Sequence, residues 1–550
     1  MRPLFLPLPM KNHRPPRQKD QYREDDARVH ETLVRLNHQV PDTFPEAVLA
    51  QAAALPREPA AEDIARREDL RDIPLVTIDG EDARDFDDAI HVERQGKGWL
   101  LRVAIADVSH YIPLETRSHR ACLDTEAQQR GNSWYFPLSV SPMLPEALSN
   151  GLCSLNPGVD RLVMLCEIPF THEGIAGVPR FAQAVMRSAA RLTYTQIRKC
   201  LLDKNPAALK ALTSQTGGGH ILAMLGEAMT LSRILRSRRL ARGSLDFHQP
   251  EAAYTVTRNG RVSDIYLAEH HEGHELIEEF MLAANEAVAD FLQKARLPFL
   301  YRVHPEPGEE NLERLKEALL LTAPDCLPEE VRDPDEPLLA RHIREILLLA
   351  HGSGRERVVN SLCLRSLARA RYQSEPMEHF GLASECYCHF TSPIRRYADL
   401  TVHRALKVAL GLDNGPLLTG HKLERLAAHC NYQERAAQEA EREMTRRMAC
   451  LAMQHRIGAI FEGTVSSVMP FGTFVTLEGL PVEAFMRRHK FPHGRRKKGG
   501  QIWHLGQQVR VRLTSVCLIR LTIDCEPAGP AAPRRSRIGG ACNTYRRRRH

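Results

Sequence analysis

The spacing of apolar residues along this chain changes its period twice, and this change limits the fold more than any single motif does. From Leu75, short runs rich in β-branched residues, "LVTI", "DAIHVE" and "WLLRVAIADVSHYI", predict β-strands. Gly96 and Gly98 mark a hairpin turn between two of these runs. After "LVMLCEIPF" the period becomes helical. The predicted helices include residues 207–212, 221–241 and 275–295.

A second region of alternating residues begins at Ile457. "GAIFEGTVSSVMPFGTFVTLEG" places glycines at its turns, and "GQQVRVRLTSV" repeats the alternation after a basic loop. Two strand clusters within about 70 residues suit a small antiparallel β-barrel of the OB type. The chain is therefore predicted to be an α+β protein, in which a mixed sheet-and-helix domain is followed by a small antiparallel barrel.

Four segments follow from these changes of pattern. Residues 1–70 are polar and rich in Pro, Arg and Glu, with one amphipathic stretch over residues 44–55. We interpret this segment as a linker or as a remnant of something larger, because it has no alternating strands and little core. Residues 71–452 form the predicted mixed domain, residues 455–526 the barrel, and residues 527–550 a basic tail.

The distribution of charge favours a polyanionic partner. The chain has 75 Lys and Arg residues against 68 Asp and Glu residues, and much of the excess lies at residues 487–498 and in the last twenty residues. Such basic blocks are typical of surfaces that contact phosphates, and a solvated or disordered segment explains each block equally well.

Three features argue against whole classes of protein. The 13 cysteines are an odd number without CxxC pairs, which indicates reduced thiols and a cytoplasmic protein rather than a disulfide framework. The apolar run in "MRPLFLPLPM" is broken by Pro7 and Pro9 and is too short for a signal peptide, and no run of about 20 apolar residues predicts a membrane span. "EHHEGHE" has His271 where a zinc metalloprotease requires Glu.

The stretch "TIDGEDARDFDDAI" contains five aspartates within ten residues, and four of them, Asp79, Asp85, Asp87 and Asp88, are the candidates for a site. Like charges this close repel by roughly 1 kcal/mol per pair even in a water-like dielectric, and by more when they are partly buried. Hard divalent cations bind carboxylate oxygens and offset such charges more fully than a lysine or an arginine does. The cluster therefore predicts a magnesium or manganese site that binds phosphate oxygens and activates water. The alternative is a solvated acidic turn, whereas the spacing argues against a calcium EF-hand.

Other stretches resemble the motifs of a known family. The chain contains "RGNSWYFPLSVSPMLPEALSNGLCSLNP", "IEEFMLAANEAVA" and "YCHFTSPIRRYADLTVHRAL" in this order after the aspartates. Together they resemble the RNase II/RNase R family of 3′-to-5′ exoribonucleases, and are more similar to the RNase R branch. The resemblance covers about residues 70–450, and the closing barrel resembles an S1 RNA-binding domain. Members usually carry two cold-shock domains ahead of the catalytic domain, so we expect the chain to lack these.

The resemblance implies roles for the acidic residues. Asp79, Asp85, Asp87 and Asp88 match the catalytic and metal-binding aspartates of the family. Asp79 and Asp88 are the first choice as direct metal ligands, and Asp87 is the residue least dispensable for chemistry. Glu441, in "QERAAQEAEREM", is a further catalytic candidate.

The resemblance also implies which residues contact RNA near the reacting phosphate. Tyr135, in "SWYFP", matches an aromatic residue that stacks on the 3′-terminal base. Arg395 or Arg396, in "SPIRRY", matches an arginine that stabilises the phosphate under attack, and the motif leaves both open. Such an arginine suits in-line displacement at phosphorus, which builds negative charge that cations must stabilise.

The barrel offers a second set of RNA-binding candidates. Phe461, Phe471 and Phe474 occupy places where S1 domains display aromatic side chains, and alternation along a strand places one or two of them in the core. The segment "VEAFMRR" departs from the usual S1 pattern "VEGLVH", because Arg487 replaces a histidine. We take Phe471, Phe474 and Arg487 as candidate RNA contacts.

The leading hypothesis is a metal-dependent exoribonuclease that hydrolyses single-stranded RNA from its 3′ end to nucleoside 5′-monophosphates, as the resemblance implies. An inactive RNA-binding protein or chaperone on the same fold is the alternative, and the presence of every motif aspartate and of both arginines argues against it. An endonuclease or a DNA exonuclease is a third hypothesis. We expect single-stranded RNA as partner, Mg²⁺ or Mn²⁺ as cofactor, a monomer, and no membrane partner, and the sequence indicates no particular protein partner.

Overall fold

The computed structural model of the chain describes residues 24–114, 122–214, 217–247, 251–333, 335–413, 415–487 and 503–528. Contacts between residues divide the chain into two compact units, Met1–Leu451 and Ala452–His550. Most of the predicted basic loop and nearly all of the predicted basic tail lie outside the described residues.

The first unit is built around one mixed β-sheet. The strands of this unit are β1 (Glu68–Asp69), β2 (Val76–Asp79), β3 (Asp88–Gln95), β4 (Gly98–Ala106), β5 (Trp134–Tyr135), β6 (Val140–Ser141), β7 (Asp160–Phe170), β8 (Arg180–Arg187), β9 (Ala190–Thr193), β10 (Ala252–Val256), β11 (Val262–Leu267), β12 (Tyr301–Val303) and β13 (Arg371–Gln373). The pairs β5-β6, β10-β11 and β12-β13 form separate two-stranded sheets. Among the described residues the main sheet has the order β1-β8-β7-β4-β3-β2-β9. β1 pairs with β8 and β2 pairs with β9 in parallel, and the other neighbours are antiparallel. This mixed sheet agrees with the predicted fold class.

Helices cover both faces of the sheet. The α-helices in the described residues are α1 (Ala27–Asn37), α2 (Glu46–Ala54), α3 (Ala61–Ala65), α4 (Val108–Tyr111), α5 (Leu123–Arg130), α6 (Tyr194–Ile197), α7 (Pro206–Thr213), α8 (Gly218–Arg242), α9 (Glu272–Lys294), α10 (Glu309–Thr322), α11 (His342–Ala350), α12 (Glu356–Ser366), α13 (Tyr397–Ala409) and α14 (Gly420–Met453). Of these, α10, α11 and α12 pack with one another in a core of their own. The predicted helices correspond to α7, α8 and α9. In the part of the chain that the structure describes, no helix is long and apolar enough to cross a bilayer.

The hairpin between β3 and β4 lies where the sequence predicts it. Gln95 pairs with Gly98, which leaves a two-residue turn that begins at Gly96. Gly96 has a φ of +61°, a region that glycine enters without steric cost. A Cβ on Gly98 would lie 2.0 Å from the Phe170 carbonyl oxygen, so the neighbouring strand also requires glycine there.

Two hydrophobic cores lie on opposite faces of the sheet, because successive residues of a strand point to opposite sides. Ile90 and Val103 face the core that includes Phe280 of α9. Ala89 and Ala104, their neighbours along β3 and β4, face the core that includes Tyr397 of α13. The sheet is therefore buried on both sides between helical layers, and its ends are the places where polar groups reach a cavity.

The segment interpreted from sequence as a linker is folded where the structure describes it. Residues 24–70 contain three α-helices, and the predicted amphipathic stretch corresponds to α2. Val48 and Ala52 of α2 join the second core, and the Arg130 guanidinium lies 3.6 Å from the centre of the Phe44 ring. The segment supplies few apolar side chains because it fills the edge of a core made by other elements. This is why its composition resembles that of a linker.

The second unit is a closed five-stranded barrel, as predicted for an OB-type domain. Its strands are β14 (Ile460–Met469), β15 (Gly472–Leu477), β16 (Glu483–Arg487), β17 (Gln508–Cys517) and β18 (Thr522–Pro527). They close in the order β14-β15-β16-β18-β17. Val465, Val475, Ala484 and Val511 are buried and fill the interior.

A buried ion-pair network fixes α13 at the end of β4. The Asp107 carboxylate, which is inaccessible to solvent, lies 2.7 Å from Arg67 Nη2 and 2.7 Å from Lys407 Nζ. Burial alone would raise the pKa of Asp107, but the two cations hold this pKa below its usual value. Because Lys407 belongs to α13, the network joins the helix that follows "SPIRRY" to the strand beside the acidic loop.

We predict that Asp107→Asn lowers the free energy of unfolding by about 3–5 kcal/mol, because it leaves two buried cations without a counter-charge. Chemical denaturation followed by circular dichroism measures this change. Asp290→Asn is the matched control, since Asp290 pairs with Lys294 at the surface and such pairs contribute at most about 1 kcal/mol. Equal effects of the two substitutions would contradict the prediction.

Candidate functional site

The predicted acidic residues lie at one end of the main sheet. Asp79 is the last residue of β2, Asp88 is the first residue of β3, and Asp85 and Asp87 lie in the loop between them. β2 and β3 are antiparallel neighbours, so the end of one and the start of the other meet at the same edge. The Ala106 amide donates to the Asp87 carbonyl at 2.8 Å, which fixes the loop against β4.

Two of these carboxylates have a buried oxygen that no group in the described chain pairs with directly. Oδ2 of Asp79 and Oδ2 of Asp88 are buried and have no hydrogen-bond partner. Burial, followed by the charge of Asp85, raises the pKa of Asp79 to about 6. Burial, followed by the charge of Asp79, raises the pKa of Asp88 to about 8. Such a pair favours the binding of a cation, since a nearby positive charge stabilises the ionised form of both carboxyl groups.

The donor set fits a hard divalent cation. All donors in the cluster are carboxylate oxygens, which Mg²⁺ and Mn²⁺ prefer. Within the described residues, no group of three or more acidic, histidine or cysteine side chains is arranged to hold a metal ion by itself. Mg²⁺ commonly keeps several waters and binds through one or two carboxylates together with substrate phosphates. Asp79 and Asp88, with their orphaned oxygens, are the residues that would hold the ion.

Asp87 joins the acidic loop to the "SPIRRY" loop. The Ile394 amide donates a hydrogen bond to Asp87 Oδ1 at 2.8 Å, and Arg395 Nε lies 3.9 Å from Asp87 Oδ2. Asp87 is 5% exposed, and burial raises its pKa well above the usual value even though Arg395 opposes the rise. The two motifs, distant in sequence, therefore form one site.

The motif allows either Arg395 or Arg396 as the arginine that contacts the phosphate, and the structure distinguishes the two. Arg396 donates two hydrogen bonds of 2.7 Å to the carboxylate of Asp399, which is inaccessible to solvent. The side chain of Arg395 is 43% exposed and donates to the Ser392 hydroxyl at 3.2 Å. The charge of Arg396 is thus neutralised within the fold, whereas the guanidinium of Arg395 remains able to meet an incoming anion.

The candidate base-stacking residue reaches the acidic loop from the short β5–β6 hairpin. The Tyr135 hydroxyl donates to Asp85 Oδ2 at 2.9 Å. A cavity of about 200 Å³ is lined by Tyr135, Arg395, Arg396 and Glu441, so the structure brings these candidates together. Glu441 reaches the cavity from α14.

Sequence reasoning missed two residues of this region. His389 lines the same cavity, and its Nδ1 lies 2.7 Å from the Tyr372 hydroxyl. Burial, followed by the charge of Arg396, lowers the pKa of His389 well below its usual value, so the ring is neutral. His389 stands inside the quoted motif "YCHFTSP", which was the available signal.

The second missed residue is Arg191, which holds the loop that follows Asp79. Its Nη2 donates to the carbonyl oxygens of Gly80 at 2.6 Å and Glu81 at 2.8 Å. Arg191 belongs to β9, which pairs with β2 only in the folded sheet. No local sequence pattern contains this contact, so the sequence gives no signal for it.

The histidines of "EHHEGHE" have a structural role. The Gly273 amide donates to His271 Nδ1 at 3.1 Å, and the His271 amide donates to His274 Nδ1 at 3.3 Å. These bonds cap the start of α9 and satisfy amides that have no partner inside the helix.

The barrel carries an aromatic cluster on its outer face. Phe474 and Phe485 are opposite each other on β15 and β16, with ring centres 5.0 Å apart, and Phe471 lies 5.9 Å from Phe485. Phe471 is 61% exposed. Phe461 has the same strand parity as the buried Val465 and therefore lies on the interior side of β14. Phe485 was not among the sequence candidates, although it stands in the quoted "VEAFMRR".

Arg487 is the remaining RNA-binding candidate of the barrel, and a nearby carboxylate partly neutralises its charge. Arg487 ends β16, and its Nη2 lies 3.5 Å from Asp524 Oδ2. Its side chain is more than half exposed. The outer face of the barrel thus combines aromatic rings with a cation, an arrangement typical of surfaces that bind single-stranded nucleic acid.

Comparisons with known proteins agree with this geometry. Residues 67–411 match the RNB domain, and residues 454–517 match the S1 RNA binding domain. Ribonuclease R of Escherichia coli (strain K12) is 39% identical over 512 residues, which are 88% of this chain and 60% of that protein. Ribonuclease R of Aquifex aeolicus is 38% identical over 502 residues, which are 89% of this chain and 69% of that protein.

A solved structure supports the same comparison. Mycoplasma genitalium RNase R, solved in complex with ribose methylated single-stranded RNA, is 28% identical with a TM-score of 0.80. The match covers 92% of this chain and 78% of that chain. The chain thus spans about 60% of the length of the Escherichia coli relative and a larger share of the Mycoplasma one.

We predict that the metal-free chain becomes less stable as pH rises through the range set by the two orphaned carboxylates. The raised pKa values of Asp79, about 6, and Asp88, about 8, mean that the folded state binds more protons than the unfolded state between about pH 4 and pH 8. The free energy of unfolding should therefore fall across this range in EDTA. Thermal denaturation of the wild type and of Asp88→Asn measures it, since the substitution removes one titrating group and should flatten the slope. Parallel pH profiles for the two proteins would contradict the prediction.

Proposed function

The chain belongs to the RNB family, and on that premise we propose that it is a hydrolytic exoribonuclease that removes nucleoside 5′-monophosphates from the 3′ end of single-stranded RNA. The observation that carries this proposal is the meeting of the two motif loops, in which Ile394 and Arg395 contact Asp87. A phosphate at that junction would find an acidic metal site on one side and a guanidinium on the other.

We assign metal binding to Asp79 and Asp88, with Asp85 beside them. Nucleases of the RNB family depend on divalent metal ions, and we propose Mg²⁺ or Mn²⁺ here because all the donors are carboxylate oxygens. When bound, such an ion stabilises negative charge on phosphate oxygens and lowers the pKa of bound water. Asp85 keeps the Tyr135 hydroxyl at this edge of the site.

Arg395 and Asp87 act together in the proposed chemistry. Asp87 Oδ1 is occupied by the Ile394 amide, so Oδ2 is the oxygen that faces Arg395. Arg395 stabilises the negative charge that develops on the phosphate during in-line displacement. Asp87 orients this guanidinium, and its burial keeps bulk water from weakening the interaction. Glu441, on the wall of the same cavity, is the remaining catalytic candidate.

RNA binding is assigned to two surfaces, each considered within its own unit. Tyr135 would stack on the 3′-terminal base, an interaction worth about 1–3 kcal/mol per base that does not depend on base identity. On the barrel, Phe471 and Phe474 would stack on further bases while Arg487 meets the backbone. The structure of the Mycoplasma genitalium relative, solved in complex with ribose methylated single-stranded RNA, supports RNA as the ligand of this chain.

We also propose a role for each segment of the chain, a cellular compartment and an oligomeric state. Residues 71–452 carry catalysis and residues 455–526 add RNA binding, in keeping with the matched domains. Every described cysteine is a free thiol, which favours a reducing compartment and supports the cytoplasm. We propose that the chain acts as a monomer.

We predict that Asp87→Asn lowers the rate of RNA hydrolysis by at least about 100-fold while RNA binding persists, since the substitution removes charge with little change of shape. The assay incubates 5′-labelled single-stranded RNA with Mg²⁺ or with EDTA and resolves the products by length, and a gel shift in EDTA reports binding. Asp82→Asn is the matched control, because Asp82 is an exposed carboxylate of the same loop. A wild type that binds RNA without shortening it would favour the inactive RNA-binding protein instead.

We predict opposite consequences for the two arginines. Arg395→Gln should lower kcat by about 100- to 1,000-fold without lowering the melting temperature, because its side chain meets the phosphate rather than the core. Arg396→Gln should lower the free energy of unfolding by about 3–5 kcal/mol, because it leaves the buried Asp399 carboxylate unpaired. Single-turnover kinetics and chemical denaturation of both variants test this. The assignment fails if Arg395→Gln retains turnover.

A further inference from the structure

Helix α1 contacts the turn of the hairpin that carries Tyr135. The Leu138 amide donates a hydrogen bond to Glu31 Oε2 at 3.1 Å, and the Ser139 hydroxyl donates to Glu31 Oε1. Glu31 is 5% exposed. Both bonds therefore form where water cannot readily replace them, and losing one leaves a buried polar group without its partner.

The hairpin has little of its own to fix Tyr135. Its two strands have two residues each, with Tyr135 opposite Val140. An isolated two-stranded hairpin is at best marginally stable and needs packing against another element. The Tyr135 side chain is 40% exposed, and its hydroxyl donates to Asp85 at the far end of the ring. The orientation of the ring thus depends on what holds the turn.

Arg35, one helical turn after Glu31, completes the contact. Its guanidinium lies 4.9 Å from the centre of the Phe136 ring, and the same group donates to the Ser139 hydroxyl. It also pairs with Asp42. The residue after Tyr135 and the tip of the turn are therefore both covered by α1.

Helix α1 is also attached to α14, through a residue of its first turn and the residue that follows its end. His38 Nε2 lies 2.8 Å from Glu443 Oε2, and Arg447 Nη1 lies 3.2 Å from His30 Nδ1. Glu443 and Arg447 pair with each other at 2.7 Å. Since α14 also carries Glu441, α1 connects two walls of the cavity that holds the candidate catalytic residues.

We propose that Glu31 is a positioning residue for the terminal nucleotide: by holding the turn at Leu138 and Ser139 it sets the Tyr135 ring at the angle needed to stack on the last base of the RNA. This inference rests on the proposed function, because it assumes that Tyr135 binds the 3′-terminal base. Glu31 is not a catalytic residue, since it contacts the hairpin and not the reacting phosphate.

The test compares substitutions on both sides of this contact in the full chain. Glu31→Ala removes the acceptor, and Ser139→Ala removes a donor without changing α1. We expect each to raise KM for a short single-stranded RNA by about five- to tenfold with kcat changed less than about twofold, as for the loss of a uniform binding interaction. The double variant should show about the effect of the larger single one, because the two residues act through one contact.

A spectroscopic signal separates positioning from general loosening. An RNA that ends in 2-aminopurine should lose fluorescence when its last base stacks on Tyr135, measured in EDTA so that no cleavage occurs. When all the RNA is bound, we expect the Glu31→Ala and Ser139→Ala variants to quench the fluorescence of this base less than the wild type does. Tyr135→Ala should quench it least. Thr32→Ala is the matched control, because Thr32 is the exposed neighbour of Glu31 on the same helix and should leave quenching and KM unchanged.

The outcomes that would contradict this inference differ from those that would contradict the proposed function. If Tyr135→Ala raises KM and reduces quenching while both turn variants match the wild type, Glu31 does not position the ring. If Glu31→Ala lowers the melting temperature and Ser139→Ala changes neither KM nor quenching, the role of Glu31 is structural only. If the wild type does not degrade RNA, or Tyr135→Ala changes nothing, the function proposed for the site is wrong.

Discussion

The hydrogen bond from the Ile394 amide to Asp87 joins two segments that lie 307 residues apart in the chain. Around this hydrogen bond, several carboxylates that repel one another are confined at one edge of a sheet that is buried on both faces. Arg395 approaches from the same loop, while Arg191 holds the backbone after Asp79 from the parallel neighbour strand. Neither contact gives the orphaned oxygens of Asp79 and Asp88 a hydrogen-bond partner, so the site still favours the binding of a cation. That preference makes the cluster suited to a reaction at phosphate.

The rigidity of the site comes from its surroundings rather than from its own bonds. The buried network around Asp107 fixes α13, which begins at Tyr397 directly after the two arginines. The "SPIRRY" loop is therefore held at its end by a helix that cannot easily move relative to β4. Preorganised charges of this kind stabilise a transition state without having to reorganise during the reaction.

Local patterns could predict much of the fold, because strands, helices and tight turns are encoded by residues that are close in sequence. The hairpin at Gly96, the helices α7 to α9 and the closed barrel all follow from such patterns. The gathering of the motif residues could be expected only through the family resemblance. Contacts set by topology could not be predicted in this way: Arg191 meets Gly80 through strand pairing, and Phe485 becomes part of an aromatic cluster through the register of β15 and β16. The amphipathic stretch of α2 was visible in the sequence, but its segment resembled a linker because Val48 and Ala52 complete a core that other segments supply.

The pairing of Arg396 with Asp399 has a consequence for turnover. A site with two free guanidiniums would hold the phosphate of the cleaved mononucleotide almost as firmly as that of the intact chain, and departure of the product would slow every cycle. Arg396 directs its Nε and Nη2 at a buried carboxylate, so under the proposed function Arg395 would be the arginine that contacts the phosphate. On that proposal the two adjacent arginines have different roles: Arg396 maintains the loop, and the single remaining guanidinium would allow the cleaved nucleotide to leave.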